Sequence, residues 1–121
     1  MIVNKQIADS LKELGYDKPC HSYYPGLYQD EKGHLIYKRL FTDINSIDTL
    51  APTQEEVCKW FREKGLIILP VLGSFDYEYR YEIYKHVEET YLLVEGDTFL
   101  TYELAIEAGI LETIKIYKNE N

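Results

Sequence analysis

The sequence predicts an α+β fold: a mainly antiparallel sheet, made of a hairpin plus a three-stranded meander, packed on one face by helices in the order α-β-β-α-β-β-β-α. Three observations carry this reading. "TQEE" (53–56) is a capping-box helix start that opens an amphipathic stripe. "YEYRYEIYKH" (77–86) alternates tyrosine with charge, the period of a strand with one face buried. It lies between two apolar runs, "LIILPVL" and "TYLLVE", with only short connections, so three adjacent strands pair as a meander. With 121 residues, of which 45% are apolar, residues 1–121 fit a single domain able to bury a core without disulfides or metal.

Taken in order, the first element is a short amphipathic helix over about 5–14. Asn4 is its N-cap, Ile7, Ala8, Leu11 and Leu14 recur at helical spacing, and Gly15 closes it. Two aromatic or β-branched segments around "QDEKG" then read as a hairpin with its turn near Asp30 to Gly33. Tyr23, Tyr24 and Tyr28 in its first arm are expected to be partly exposed. "INSIDTLAP" reads as a loop of Asn, Ser, Asp and Pro.

The central helix is expected over about 54–64, ended by Gly65. Val57, Trp60 and Phe61 form one stripe for packing on a sheet, Cys58 and Lys64 flank it, and Glu55, Lys59, Arg62 and Glu63 face water. After it come "LIILPVL", a turn at "GSFD", the alternating strand, a tight connection at "VEE", and "TYLLVE" ending at a "GD" turn. Thr101 caps a last helix, in which Leu104, Ala108 and Leu111 line one side while Ile106, Ile110, Ile114 and Tyr117 line another. A helix apolar on two sides is packed twice, or offers one side to a partner or a second copy of the chain. Gly109 in its middle costs on the order of 1 kcal/mol against Ala, which points to close backbone approach by a neighbour.

Net charge is −8 and uneven: residues 76–121 hold 11 acids and 4 bases. Seven acids, including Glu103, Glu107 and Glu112, lie between Lys85 and Lys115 with no Lys or Arg among them. Such a surface repels phosphate, so direct nucleic-acid binding is not expected, whereas a basic protein partner is attracted. Two cysteines far apart make no disulfide framework, the first residues have no apolar signal region, and no run approaches the roughly 18 apolar residues of a membrane span. The expectation is a cytoplasmic protein with no membrane association.

The segments "LKELGYDKPC", "APTQEEVCKWFREKGLIILPV" and "TYELAIEAGILETIKIYK", in this order and spacing, resemble a group of small uncharacterised proteins encoded by phages and mobile elements of gut bacteria. The likeness spans most of the chain and is most specific at Pro52, Thr53, Trp60, Phe61, Arg62, Glu63 and Lys64. It implies a small accessory protein acting inside a bacterial cell. The group has no assigned activity, so the resemblance brings no catalytic residue.

No catalytic, metal or cofactor motif stands out, and no cofactor is expected. Cys20, His21, His34 and Cys58 are zinc-ligand types without close-pair spacing, and Cys58 beside an apolar stripe reads as a buried, inert thiol. Asp76, Glu78, Arg80, Glu82, Tyr84 and His86 project from one side of the long strand, as the wet face of a sheet or as an acid–base site. Tyr77, Tyr79, Tyr81 and Ile83 share the other side. That row reads as a core face covered by the helices, with its hydroxyls at the rim; the alternative leaves part of it open as an interface.

The leading functional reading is a non-enzymatic interaction module with an acidic, tyrosine-bearing surface formed by Tyr77, Tyr79, Tyr81, Glu103, Glu107 and Glu112. Its expected partner is a host or phage protein, and mimicry of nucleic acid in a basic cleft falls within this reading. The alternatives are a small hydrolase or transferase using the Glu82/His86 face, and a self-assembling component that forms homodimers through the C-terminal helix.

Overall fold

The structure, a computed structural model, describes residues 1–24, 36–41, 49–73 and 78–120. Its class is α+β, with antiparallel sheets and the expected order of helices and strands, to which one short strand is added before the second helix. The chain divides into two compact units, Ile2–Thr53 and Gln54–Asn121 together with Met1. The second unit carries 14 acids and 7 bases, so nearly all of the chain's net charge belongs to it.

In the first unit, α1 spans Lys5–Glu13, and Asn4 caps it by accepting a hydrogen bond from the Ile7 amide at 2.9 Å. Gly15, at φ +88°, takes the left-handed conformation that ends a helix without a β-carbon penalty. Ile7, Ala8 and Leu11 are buried, as their spacing requires. Strands β1 (Cys20–Tyr24) and β2 (Ile36–Phe41) pair antiparallel, while the hairpin turn expected near Asp30 to Gly33 lies outside the described residues.

Two features of this unit differ from the sequence reading. Thr49–Leu50, read as loop, form a short strand β3 on the other edge of β1, giving the order β2-β1-β3. The Thr49 hydroxyl donates to Asp9 Oδ1 at 3.0 Å, a tie between β3 and α1 that no local pattern announces. Tyr24, expected partly exposed, is only 5% exposed, because its hydroxyl donates to the Val3 carbonyl at 2.8 Å and so can be buried without loss.

In the second unit, α2 (Gln54–Glu63) buries Val57, Trp60 and Phe61, and Gly65 at φ +84° turns the chain into β4 (Leu66–Leu72). Strands β4, β5 (Tyr79–His86) and β6 (Thr90–Phe99) form the antiparallel meander in that order. The helix α3 (Tyr102–Glu120) starts where expected, with the Leu104 amide donating to the Thr101 hydroxyl at 3.1 Å.

Both α2 and α3 pack on the sheet. Register places Leu66, Ile68, Pro70 and Leu72 beside Lys85, Ile83, Tyr81 and Tyr79, so these side chains share one face. The core of the unit combines Val57, Trp60 and Phe61 with Leu66, Ile68 and Ile83 and with Ala105, Ile106, Ile110 and Ile114. Thr113 enters the buried side of α3 at no polar cost, since its hydroxyl donates to the Gly109 carbonyl at 2.7 Å. Gln54 is also buried, and its side-chain amide donates to the Glu103 carbonyl at 3.0 Å, joining the starts of α2 and α3.

The "GD" turn is not formed: β6 runs through Gly96 and Asp97 to Phe99. Arg80 pairs with Thr98 and Glu82 with Glu95, so two residues, Gly96 and Asp97, oppose Tyr81 alone. This is a β-bulge, and its glycine is there for space, because a β-carbon at Gly96 would overlap the Tyr81 ring. Gly109 makes room on the helix side, where a β-carbon would lie 2.9 Å from Ile68 Cγ2 and 3.1 Å from Tyr81 Cβ.

Candidate functional site: the outward face of the C-terminal helix

Along α3 the residues Leu104, Ala108 and Leu111 recur at helical spacing, opposite the buried set Ala105, Ile106, Gly109, Ile110, Thr113 and Ile114. Leu104 is 46% exposed, and Ala108 and Leu111 are half-buried. At 100° per residue, Glu103 and Glu107 flank this line on one side and Glu112 on the other. The result is a short apolar strip between carboxylates, which the exposed Lys115 ends one turn beyond Leu111.

The tyrosine row meets only one border of that strip. Tyr79 and Tyr81 are half-buried on the sheet face that carries α3, while Tyr77 lies outside the described residues. The Tyr79 ring stands edge-on to Tyr102 at 6.0 Å, and Tyr81 stacks on Phe99 at 6.4 Å. Burial raises the Tyr81 phenol above its usual range, and the nearby carboxylates of Glu112 and Asp97 push it the same way. Of the three helix carboxylates, Glu112 is thus the one whose charge reaches Tyr81, while Glu103 and Glu107 lie on the opposite flank of α3. Sequence reading missed Asp97 as part of this border, because it assigned that residue to a turn.

The charged side of β5 is organised differently from a proton relay. Glu82 accepts from Arg80 Nη2 at 3.3 Å and from the Tyr84 hydroxyl at 2.9 Å, and the second bond raises the Tyr84 phenol. His86 Nδ1 lies 2.7 Å from the Thr90 hydroxyl in the exposed β5–β6 turn. His86 lies four residue steps beyond Glu82, about 13 Å along the strand, so the two do not meet. Asp76 lies outside the described residues.

A cleft of about 290 Å³ opens between α2, β4 and the start of α3, lined by Glu55, Cys58, Arg62, Ile68, Leu69, Pro70, Tyr102 and Ile106. Burial pushes the Cys58 thiol up to about 11, outweighing the opposite pull of Arg62. At pH 8 its thiolate fraction is about two orders of magnitude below that of a free cysteine. Cys58, expected buried, is half-buried at the wall of this cleft; iodoacetamide is still expected to modify it correspondingly slowly, as read by the mass of its tryptic peptide, and labelling as fast as free cysteine would contradict the raised thiol. Cys20 is fully buried in the first unit. His34 lies outside the described residues, as does the His21 side chain, and among the described residues no three His, Cys, Asp or Glu side chains gather as a metal site. Nor is any described helix long and apolar enough to cross a membrane.

No protein-family model, curated protein or solved structure matches the chain.

Proposed function

We propose that the chain is a non-enzymatic interaction module that binds a basic protein through the outward face of α3. The observation that carries this reading is the strip of Leu104, Ala108 and Leu111 between Glu103 and Glu107 on one flank and Glu112 on the other. An apolar centre with a charged rim is the usual division of labour in a protein interface: the centre is desolvated, and the rim steers and orients the partner. With seven more acids than bases in this unit, the partner is basic, and phosphate backbones are repelled. The same charges count against pairing of two copies through this face, since like carboxylates would meet. A phage or mobile-element accessory protein acting on a host protein in the cytoplasm fits this chemistry.

The test is capture from a bacterial lysate with the wild type and the triple variant Glu103→Gln, Glu107→Gln, Glu112→Gln in parallel. The wild type is expected to retain a basic protein whose binding falls as salt rises. The variant is expected to bind about tenfold or more weakly, from three rim pairs worth up to about 1 kcal/mol each, with a flatter salt dependence. Equal retention by both proteins at every salt concentration would overturn the reading. Leu104→Asp separates the apolar contribution, since it abolishes binding without weakening the long-range attraction to acid.

A further inference from the structure

We propose that the open edge of β4 is a docking site for an extended peptide segment of a partner protein, which joins the meander as a fourth strand. Among the described residues β4 is an edge strand, paired on one side only, with β5. Its hydrogen-bond parity follows from two flanking bonds: His86 N–H donates to the Gly65 carbonyl and Gly73 N–H to the Glu78 carbonyl, both at 2.8 Å. Directly opposed residues in an antiparallel pair alternate between bonded and non-bonded. Ile67, Leu69 and Val71 therefore direct their peptide groups to β5, and Ile68, Pro70 and Leu72 direct theirs outward. Among the described residues, only the Leu72 carbonyl has a partner there, Arg80 Nη1 at 3.4 Å. The N–H of Ile68 and Leu72 and the carbonyls of Ile68 and Pro70 remain as donors and acceptors in strand spacing.

The cleft stands beside these groups. Its floor is Ile68, Pro70 and Ile106, which suits an apolar side chain, and alternate residues of an added strand would turn toward it. Glu55 and Arg62 of α2 bound it at two ends. Because the chain reverses at Gly65, Arg62 lies toward the beginning of β4 and Glu55 toward its end. The matching segment carries an apolar residue between an acidic residue facing Arg62 and a basic residue facing Glu55. Pro70 selects against a second copy of this chain: two β4 edges would each bring a proline without an N–H to the seam. A foreign strand brings its full set of donors. This site is separate from the outward face of α3, so either proposal can fail without the other.

The probes are synthetic extended peptides that alternate valine or isoleucine with threonine and end in glutamate and lysine in either order. In the free protein, the Ile68 and Leu72 amides are expected to exchange with deuterium faster than those of Ile67, Leu69 and Val71. A bound peptide should slow exchange at Ile68 and Leu72. N-methylation along the peptide edge facing β4 should weaken binding by about tenfold or more, while N-methylation along the other edge leaves it unchanged. Leu72→Pro removes an outward donor without touching the β4–β5 ladder, and is expected to keep the thermal transition while losing the peptide. Three results would each overturn the proposal: no peptide protecting these amides at millimolar concentration, equal loss from methylating either edge, or protection in the free protein that rises with its concentration, the mark of a second copy on the edge.

Discussion

Phe61→Ala is expected to destabilise the Gln54–Asn121 unit by about 3–5 kcal/mol, the range for deleting a large buried aromatic ring. Phe61 is fully buried. Its ring lies 5.1 Å from Trp60 and 6.0 Å from Tyr117 of α3, so truncation opens a cavity where α2 and α3 meet and removes two aromatic contacts. Lys64 Nζ sits 4.4 Å over the Trp60 ring from outside and cannot fill that space with apolar volume. Urea unfolding followed by the fluorescence of Trp60, the sole tryptophan, reads this unit directly. A loss under about 1 kcal/mol would mean that Phe61 is not central to the packing of α2.

Gly96→Val is expected to cost about 2–3 kcal/mol by the same measurement, within the range for overpacking. A β-carbon at residue 96 occupies the place of the Tyr81 ring, which must then leave its stack on Phe99. The clash is with one identified side chain, so the two sites are coupled. In a Tyr81→Ala background the same Gly96→Val substitution should cost little, because the space is already empty and valine favours a strand. Additive effects of the two substitutions would show that Gly96 serves some purpose other than seating Tyr81.

Much of the candidate site could be read before any coordinates, because its helix is defined by local periodicity. Leu104, Ala108 and Leu111 were separable from Ile106, Ile110 and Ile114 by spacing alone, and Glu103, Glu107 and Glu112 by the absence of nearby bases. Spacing could not say which apolar side was buried. Thr113 shows why: it is fully buried on the core side, and its polarity is absorbed by a backbone carbonyl of its own helix. The tyrosine row had the same ambiguity, since a tyrosine side chain suits both a core rim and an interface.

The sequence by itself determined the helices with their starts at Asn4, Gln54 and Thr101 and their glycine ends at Gly15 and Gly65, the apolar stripe of α2, the meander and the acidic bias of the last third. These are properties of neighbouring residues, governed by capping, backbone sterics and the two side-chain periods. Only the tertiary structure decided that Gly96 is a bulge rather than a turn, that Thr49–Leu50 add a strand to β1, that Tyr24 is buried, and that the Glu112 carboxylate lies near enough to Tyr81 to raise its phenol. Each of these depends on a partner distant in sequence: a ring that needs space, a carboxylate that ties a strand, a carbonyl that accepts a phenol. A one-dimensional pattern carries no record of which distant group will be there.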